Sequence, residues 1–237
     1  MNLYETSKLV DEYLLFHYGS AEEIDGPDAS SLDFAVRTAA HADSRNKDRA
    51  LDLGCAVGRS SFELSRVYNE VIGIDFSHAF ITAAEKLRQG ESLDYQRLDE
   101  AHQSTQLIAK APSSSRSEKV SFRQGDAMSL PASLGRFDLV HAANLICRLP
   151  EPLKLLEKLP ELVRSGGQLV LATPCTWLAE FTPPENFPRT DTLSWLKSTL
   201  SPAFELVEQT DEPFLIRETA RKFQWTRSLV TKWQRVG

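Results

Sequence analysis

Asp52, Gly54, Ala56 and Gly58 fall at every second position of the run Ala50-Leu51-Asp52-Leu53-Gly54-Cys55-Ala56-Val57-Gly58-Arg59, and this spacing is where chemistry enters the chain. The residues before Gly54 are apolar and suit a buried strand, and a helix-like run begins at Ser60. Strand, tight turn of small residues, helix is the entry of a Rossmann-like α/β domain, where backbone comes close to a nucleotide-type ligand. A dinucleotide fingerprint needs G-x-G-x-x-G, so that a pyrophosphate sits on the helix N-terminus. Here its second glycine is Ala56 and its third position is Arg59, and the spacing reads D-x-G-x-A-x-G. An acid just ahead of such a turn suits a ligand with positive charge and no phosphate.

S-adenosylmethionine, with its sulfonium and α-ammonium groups, meets that description. Further acids follow later strand-like runs. Asp75 lies where a carboxylate takes ribose hydroxyls, or else caps the next helix. Asp126 is placed for an adenine amino group, with Ala127 and Met128 against the ring, or else closes a turn. Ala143 and Asn144 follow another strand, where a donor site faces its acceptor, although Asn144 equally suits a turn. The expected cofactor-facing set is Asp52, Gly54, Cys55, Ala56, Gly58, Asp75, Phe76, Asp126, Ala127 and Ala143.

The elements that must position these residues can be read in order. Thr6–Tyr18 and Ser30–Ala40 carry helical apolar periodicity and precede a polar stretch ending at Asp48. From there strand and helix alternate, which implies a parallel sheet. Strands are expected at 50–53, 70–74, 119–123, 137–142 and 168–173, and helices at 60–68, 77–89 and 151–163. Pro160 should kink or divide the last of these. Residues 92–118 hold a short possible strand and a polar, Ser-rich tract, and are expected to form a surface excursion with a mobile tip. An aromatic loop spans 177–187, a helix 192–200, and strands 203–209 and 223–234, with 214–220 a connection of uncertain type. Domain organisation follows: residues 1–48 as N-terminal cap helices contributing to an acceptor pocket, and 49–237 as a Rossmann-like core of seven mostly parallel strands with helices on both faces.

Composition limits the function classes. The 237 residues suffice for one α/β domain with additions, and 41% hydrophobic with 25% charged residues is ordinary globular composition. A net charge of −6 disfavours nucleic acid or an anionic membrane as partner. No apolar run approaches the ~20 residues of a membrane span, and no signal peptide is evident. Three cysteines without framework spacing point to a reducing compartment, so the protein is expected to be cytoplasmic. There is no CxxC, HExxH or His/Cys cluster, and no metal is expected.

Taken together, Asp52/Gly54/Gly58, Asp75, Gly125-Asp126, Phe137-Asp138 and Gly166-Gly167 resemble the class I S-adenosylmethionine-dependent methyltransferases over residues 49–210. A narrower resemblance lies in Asn2–Thr6, Glu12–Gly19, Gly73–Phe80, Ala142–Pro150 and Arg221–Trp225. These runs are similar to the methyltransferase domain of the ovothiol biosynthesis enzymes, which methylates a ring nitrogen of mercaptohistidine as the last step to ovothiol. The resemblance implies S-adenosylmethionine as methyl donor, S-adenosylhomocysteine as product, and a pocket formed by the N-terminal helix and the post-strand loops. Bifunctional members carry an upstream iron-dependent sulfoxide synthase, so this chain is expected to rely on a separate one.

Methyl transfer from a sulfonium to a neutral imidazole is an in-line displacement. Alignment and exclusion of water supply most of the acceleration, with up to ~7–11 kcal/mol available from positioning. By the resemblance, Tyr4, Tyr13, Asn144, Arg148, Trp177, Phe181 and Arg217 are the substrate-binding candidates, and His17, Asn144 and Glu180 the catalytic ones. Arg148 or Arg217 would fork onto an amino-acid carboxylate, aromatics would stack on the ring, and His17 or Glu180 would accept a ring proton. Each has a structural alternative: a core Tyr13, a buried structural His17, a surface arginine. Cys55, Cys147 and Cys175 all follow strands, at the ligand edge of the sheet, where a thiol substrate could form mixed disulfides with them. Other readings are a methyltransferase for another small amine, thiol or hydroxyl acceptor, and a non-catalytic S-adenosylmethionine-binding module.

Overall fold

The computed structural model describes residues 3–237. Asn2, part of the first resembling run, lies outside them. The chain begins with a 3-10 turn at Leu3–Glu5, then α1 (Ser7–Tyr18), α2 (Ala21–Ile24) and α3 (Phe34–Ala40). The core follows as β1 (Arg49–Leu53), α4 (Arg59–Ser65), β2 (Glu70–Asp75) and α5 (His78–Arg88). Next come β3 (Leu93–Glu100), β4 (Gln103–Ala109), β5 (Val120–Gln124), β6 (Phe137–Ala143), α6 (Pro152–Leu162) and β7 (Val163–Thr173). It closes with α7 (Thr192–Leu200), β8 (Phe204–Thr219) and β9 (Lys222–Arg235).

Seven strands make one sheet in the order β5-β2-β1-β6-β7-β9-β8. The pairs β5–β2, β2–β1, β1–β6 and β6–β7 are parallel, and β9 runs antiparallel to both β7 and β8. The order reverses at β1, between β2 and β6. That switch point is where an open α/β sheet leaves a crevice at the carboxyl ends of its strands. Strand β1 is buried on both faces, as a central parallel strand must be. Alternation divides it: Leu51 and Leu53 join the core of α6, α7 and Trp233, while Ala50 joins that of α1, α3, α4 and α5. Asp52 shares the face of Ala50 and therefore meets α4.

The structure departs from the sequence expectations in three places. Residues 92–118 leave the main sheet, as expected of a surface excursion, but hold more strand than the one short run read from the sequence. They contain the antiparallel hairpin β3–β4, which packs on α1 and β8. The serine-rich tract after it is tied to the core through Arg116, whose Nε donates to Ser65 O at 2.6 Å and Nη2 to Tyr68 O at 3.1 Å. Residues 214–220 are not a connection but mostly the second half of β8, paired with β9 through Thr219↔Lys222. The two short predicted strands are thus one long hairpin. Pro160 does not divide its helix, because α6 ends two residues later and only the last turn loses a donor. None of the described helices is long and apolar enough to cross a membrane.

Candidate active site

The turn after β1 has its shape forced on it. Gly54 and Gly58 take φ values of +70° and +89° and Ala56 +47°, a region that favours residues without a β-carbon. At Gly58 a Cβ would also lie 2.5 Å from Phe122 Cζ and 3.1 Å from the Ala84 Cβ, so α4 can approach β5 and α5 only over a glycine. At Gly54 it would press on the Leu145 side chain at 3.1 Å, narrowing the crevice. The turn is stapled to β2, with Gly54 N–H and Cys55 N–H both donating to Ile74 O, at 2.8 and 3.2 Å.

Asp75 ends β2 and gathers two elements. Its Oδ2 accepts from Ala56 N–H at 2.9 Å and its Oδ1 from Ser77 N–H at 2.9 Å. Burial lifts this carboxyl above the usual range, against the pull of those two amides. Asp126 follows β5, and its Oδ1 accepts from Met128 N–H at 2.8 Å. Asn144 follows β6 at φ +55°. Its N–H donates to Ala172 O at 2.8 Å, and its Oδ1 accepts from the Ser228 hydroxyl on β9 at 2.6 Å.

The opposite wall comes from the N-terminus. Glu5 caps α5, its two carboxylate oxygens accepting from His78 N–H at 2.9 Å and Ala79 N–H at 3.1 Å. Ser77 Oγ donates to Tyr4 O at 2.7 Å. These bonds hold Tyr4 over the crevice, with its ring 5.9 Å from Phe80, 6.3 Å from Phe181 and 6.4 Å from Tyr13. Arg148 lies 4.8 Å over the Phe181 ring, and its Nη1 donates to the carbonyls of Cys147 and Thr176, both at 3.1 Å.

Between the two walls lies a cavity of about 640 Å³, within the ~300–1,000 Å³ of small-molecule sites. One side is the post-strand ledge: Gly54, Ala56, Asp75, Phe76, Asp126, Ala127 and Ala143. The other holds Tyr4, Tyr13, His17, Asn144, Arg148, Glu180 and Phe181. Fourteen of the sequence-derived residues, drawn from positions 4 to 181, therefore share one cavity.

Five do not line it. Asp52 is wholly buried beneath the turn, and its carboxylate is consumed there. Oδ1 meets His141 Nδ1 at 2.8 Å, and Oδ2 accepts from Ser60 and Ser61 hydroxyls at 2.7 and 2.6 Å. Those partners hold the Asp52 carboxyl below its ordinary range against its burial. Cys55 and Gly58 face the protein, the latter for the packing reason above. Trp177 turns into the α7 side, where its Nε1 donates to Thr192 Oγ1 at 3.0 Å and its ring meets Trp195. Arg217 points the other way, into the hairpin: Nη1 donates to Leu98 O at 2.8 Å and Nη2 to Asp99 at 2.9 Å. It is a strut between β8 and β3 and does not reach the cavity.

His17 is on the wall but unsuited to the base role. Burial, with Arg59 beside it, takes its imidazole down to about 3, so it stays neutral near pH 7 and binds a proton weakly. The cysteines are not activated either. Cys55 and Cys147 are buried, Cys175 is exposed, and burial raises all three thiols.

Sequence reasoning missed Phe34, Phe214 and Ile216 on the cavity wall, because Phe214 and Ile216 belong to the half of β8 that did not read as strand. It also missed His141. The available signal was a histidine in the middle of the mostly apolar strand Phe137–Ala142, which needs a buried partner. Register supplies it, since His141 pairs with Asp52.

A Rossmann-like sheet in this order, with a glycine turn and two acids on one crevice, defines the class I methyltransferase fold. A methyltransferase domain model matches residues 51–171, just over half of the chain. The chain belongs to that family, the S-adenosylmethionine-dependent methyltransferases. Among its relatives is the chloroplastic tocopherol O-methyltransferase of Arabidopsis thaliana, 29% identical over 61% of this chain and 35% of that protein. Another is norajmaline N-methyltransferase of Rauvolfia serpentina, 26% identical over 65% of this chain and 47% of that protein. The chain thus spans between a third and a half of the length of these two relatives. In fold it is similar to the YcgJ protein of Bacillus subtilis, with a TM-score of 0.57 at 13% identity, covering 86% of this chain and 98% of the other. It is also similar to the N-terminal domain of EvdMO1 with S-adenosylhomocysteine bound, with a TM-score of 0.53 at 17% identity, covering 86% and 82%.

The residues present suit that cofactor. Gly54 leaves space a side chain would fill, Asp75 keeps lone pairs for a diol beyond its two amide bonds, and Asp126 keeps Oδ2 for an amino group.

Proposed function

We propose that this protein transfers a methyl group to an imidazole nitrogen of mercaptohistidine, giving ovothiol. One observation carries the reading. The runs that resemble the ovothiol enzymes are far apart in the chain, yet Tyr4, Tyr13, Phe16, His17, Asp75, Phe76, Phe80, Ala143, Asn144 and Arg148, drawn from four of them, line one cavity. The fifth run, around Trp225, lies outside it, where Trp225 Nε1 donates to Asp28 at 2.9 Å.

When bound, S-adenosylmethionine supplies an electrophilic methyl group on a sulfonium. The protein's part is to hold and enclose. Asp75 and Asp126 fix the nucleoside half against Phe76 and Ala127. Arg148, already flattened on Phe181, takes the acceptor's carboxylate with the donors its carbonyl contacts leave over. Tyr4 and Tyr13 exclude water from the face opposite the ledge. Asn144, its oxygen taken by Ser228, offers its amide N–H groups to the acceptor's sulfur. Glu180, exposed at the mouth, is the group placed to take the ring proton. The acceptor arrives with its sulfur already installed.

Single-turnover incubation with S-adenosylmethionine and mercaptohistidine, with histidine in parallel, tests the proposal by mass spectrometry. The expected result is a one-methyl gain on mercaptohistidine alone, with S-adenosylhomocysteine formed. Cofactor binding with no product from either would sink the substrate assignment. The aromatic portion of the cavity (Phe16, Phe34, Phe214) would then favour a larger apolar amine or thiol.

A further inference from the structure

The cofactor's amino-acid end needs a partner for its carboxylate, because a carboxylate left bare in an enclosed site is costly. With Asp126 at one end of the ledge and Asp75 in its middle, that end falls at the turn after β1. Four of the turn's amides are already taken. The N–H groups of Gly54, Cys55, Ala56 and Gly58 are all donated internally, to Ile74, Ile74, Asp75 and Cys55. The polar side chains nearby are equally committed. Ser60 donates to Asp52 at 2.7 Å and Tyr18 to Val57 O at 2.7 Å. Arg59 pairs with Glu63 at 3.1 Å and with His17 O at 3.3 Å, and it does not line the cavity.

His17 is the exception. It ends α1 beside this turn and lines the cavity. Its Nδ1 is buried and has no partner among the described residues. A neutral imidazole carries one proton, and an N–H is more costly to bury unpaired than a lone pair. The proton therefore belongs on Nε2, the nitrogen left for the cavity.

We propose that His17 is a cofactor-binding residue whose Nε2–H donates to the α-carboxylate of S-adenosylmethionine. Neutrality is then the useful state: the imidazole serves as a fixed donor and takes no part in moving the acceptor's proton. This rests on the family's cofactor and not on the mercaptohistidine assignment, since the measurements below need no methyl acceptor.

Calorimetry compares S-adenosylhomocysteine with 5′-methylthioadenosine, which keeps the nucleoside and lacks the amino-acid end. H17A is expected to weaken S-adenosylhomocysteine by about 10- to 100-fold, the loss of one charge-assisted hydrogen bond, and to leave methylthioadenosine unchanged. H17Q, which retains a side-chain N–H, is expected to recover most of that loss. Equal weakening of both ligands would assign His17 a structural role, and no weakening of either would also overturn the proposal. The wild-type complex with S-adenosylhomocysteine gives a second check that needs no variant. Long-range ¹⁵N spectra should show the His17 proton on Nε2, and a proton on Nδ1, or an imidazolium at pH 7, would overturn it. Failure of S-adenosylhomocysteine to bind the wild-type protein would remove the cofactor reading and this inference with it.

Discussion

The ledge and the wall of the cavity are built differently. The ledge is local: each of its acids ends a strand or follows one by a residue or two, and backbone amides hold it. Asp75 takes two such amides, Asp126 one, and the turn after β1 at the other end of the ledge is fixed by left-handed glycines. The wall is assembled at long range. Tyr4 is held through Glu5 and Ser77 across more than seventy residues, and Asn144 through Ser228 across 84. Backbone geometry tolerates most side-chain changes, so the ledge suits a constant ligand. A wall made of side chains can be re-cut without disturbing the sheet, so it suits a ligand that varies.

That contrast can be broken by mutation. The largest effect belongs to the turn. Gly58→Ala combines a left-handed φ with overpacking against Phe122 and should destabilise the protein by about 3 kcal/mol, read by thermal or denaturant unfolding. Gly90→Ala, at φ +86° with nothing within 4 Å, carries only the backbone part, about 1 kcal/mol. Equal losses would mean that α4–β5 packing does not set the turn.

On the ledge, Asp75→Ala should weaken S-adenosylhomocysteine by about 100-fold by calorimetry, since it deletes a carboxylate that also holds Ala56. The two arginines sharpen the distinction between wall and scaffold. Arg148→Ala should raise the acceptor KM by about tenfold or more and leave S-adenosylhomocysteine affinity intact. Arg217→Ala should lower stability by about 2 kcal/mol through the lost hairpin bonds and leave the acceptor KM near wild type. The reverse pattern would return the carboxylate fork to Arg217.

The smallest effect is a pH dependence. The His17 pKa in the folded protein lies below its unfolded value, 6.5 falling to about 3. Its neutral, buried form therefore supports the fold fully above about pH 6.5, and that support is lost as pH falls toward 3. Chemical unfolding of wild type and H17Q between pH 4 and 7 should show a shallower acid loss in the variant. Parallel curves would mean that His17 titrates normally.

The glycine turn, the acids after successive strands and the parallel core were all legible in the chain, because each is a local consequence of residue type. A left-handed turn needs glycine, a central strand needs an unbroken apolar run, and a crevice forms where strands end. Which polar side chains face the cavity was decided only by tertiary structure. Asp52 and Asp75 look alike in sequence, yet pleating turns Asp52 onto His141, Ser60 and Ser61 and leaves Asp75 on the ledge. Arg148 and Arg217 look alike too, and the hairpin β3–β4 takes Arg217 because Asp99 and the Leu98 carbonyl lie across from it. Burial does the same for His17, whose residue type marks it as a base and whose surroundings keep it neutral. Local sequence sets where backbone can go, whereas the partner of a polar side chain depends on what the rest of the chain brings within 3 Å of it.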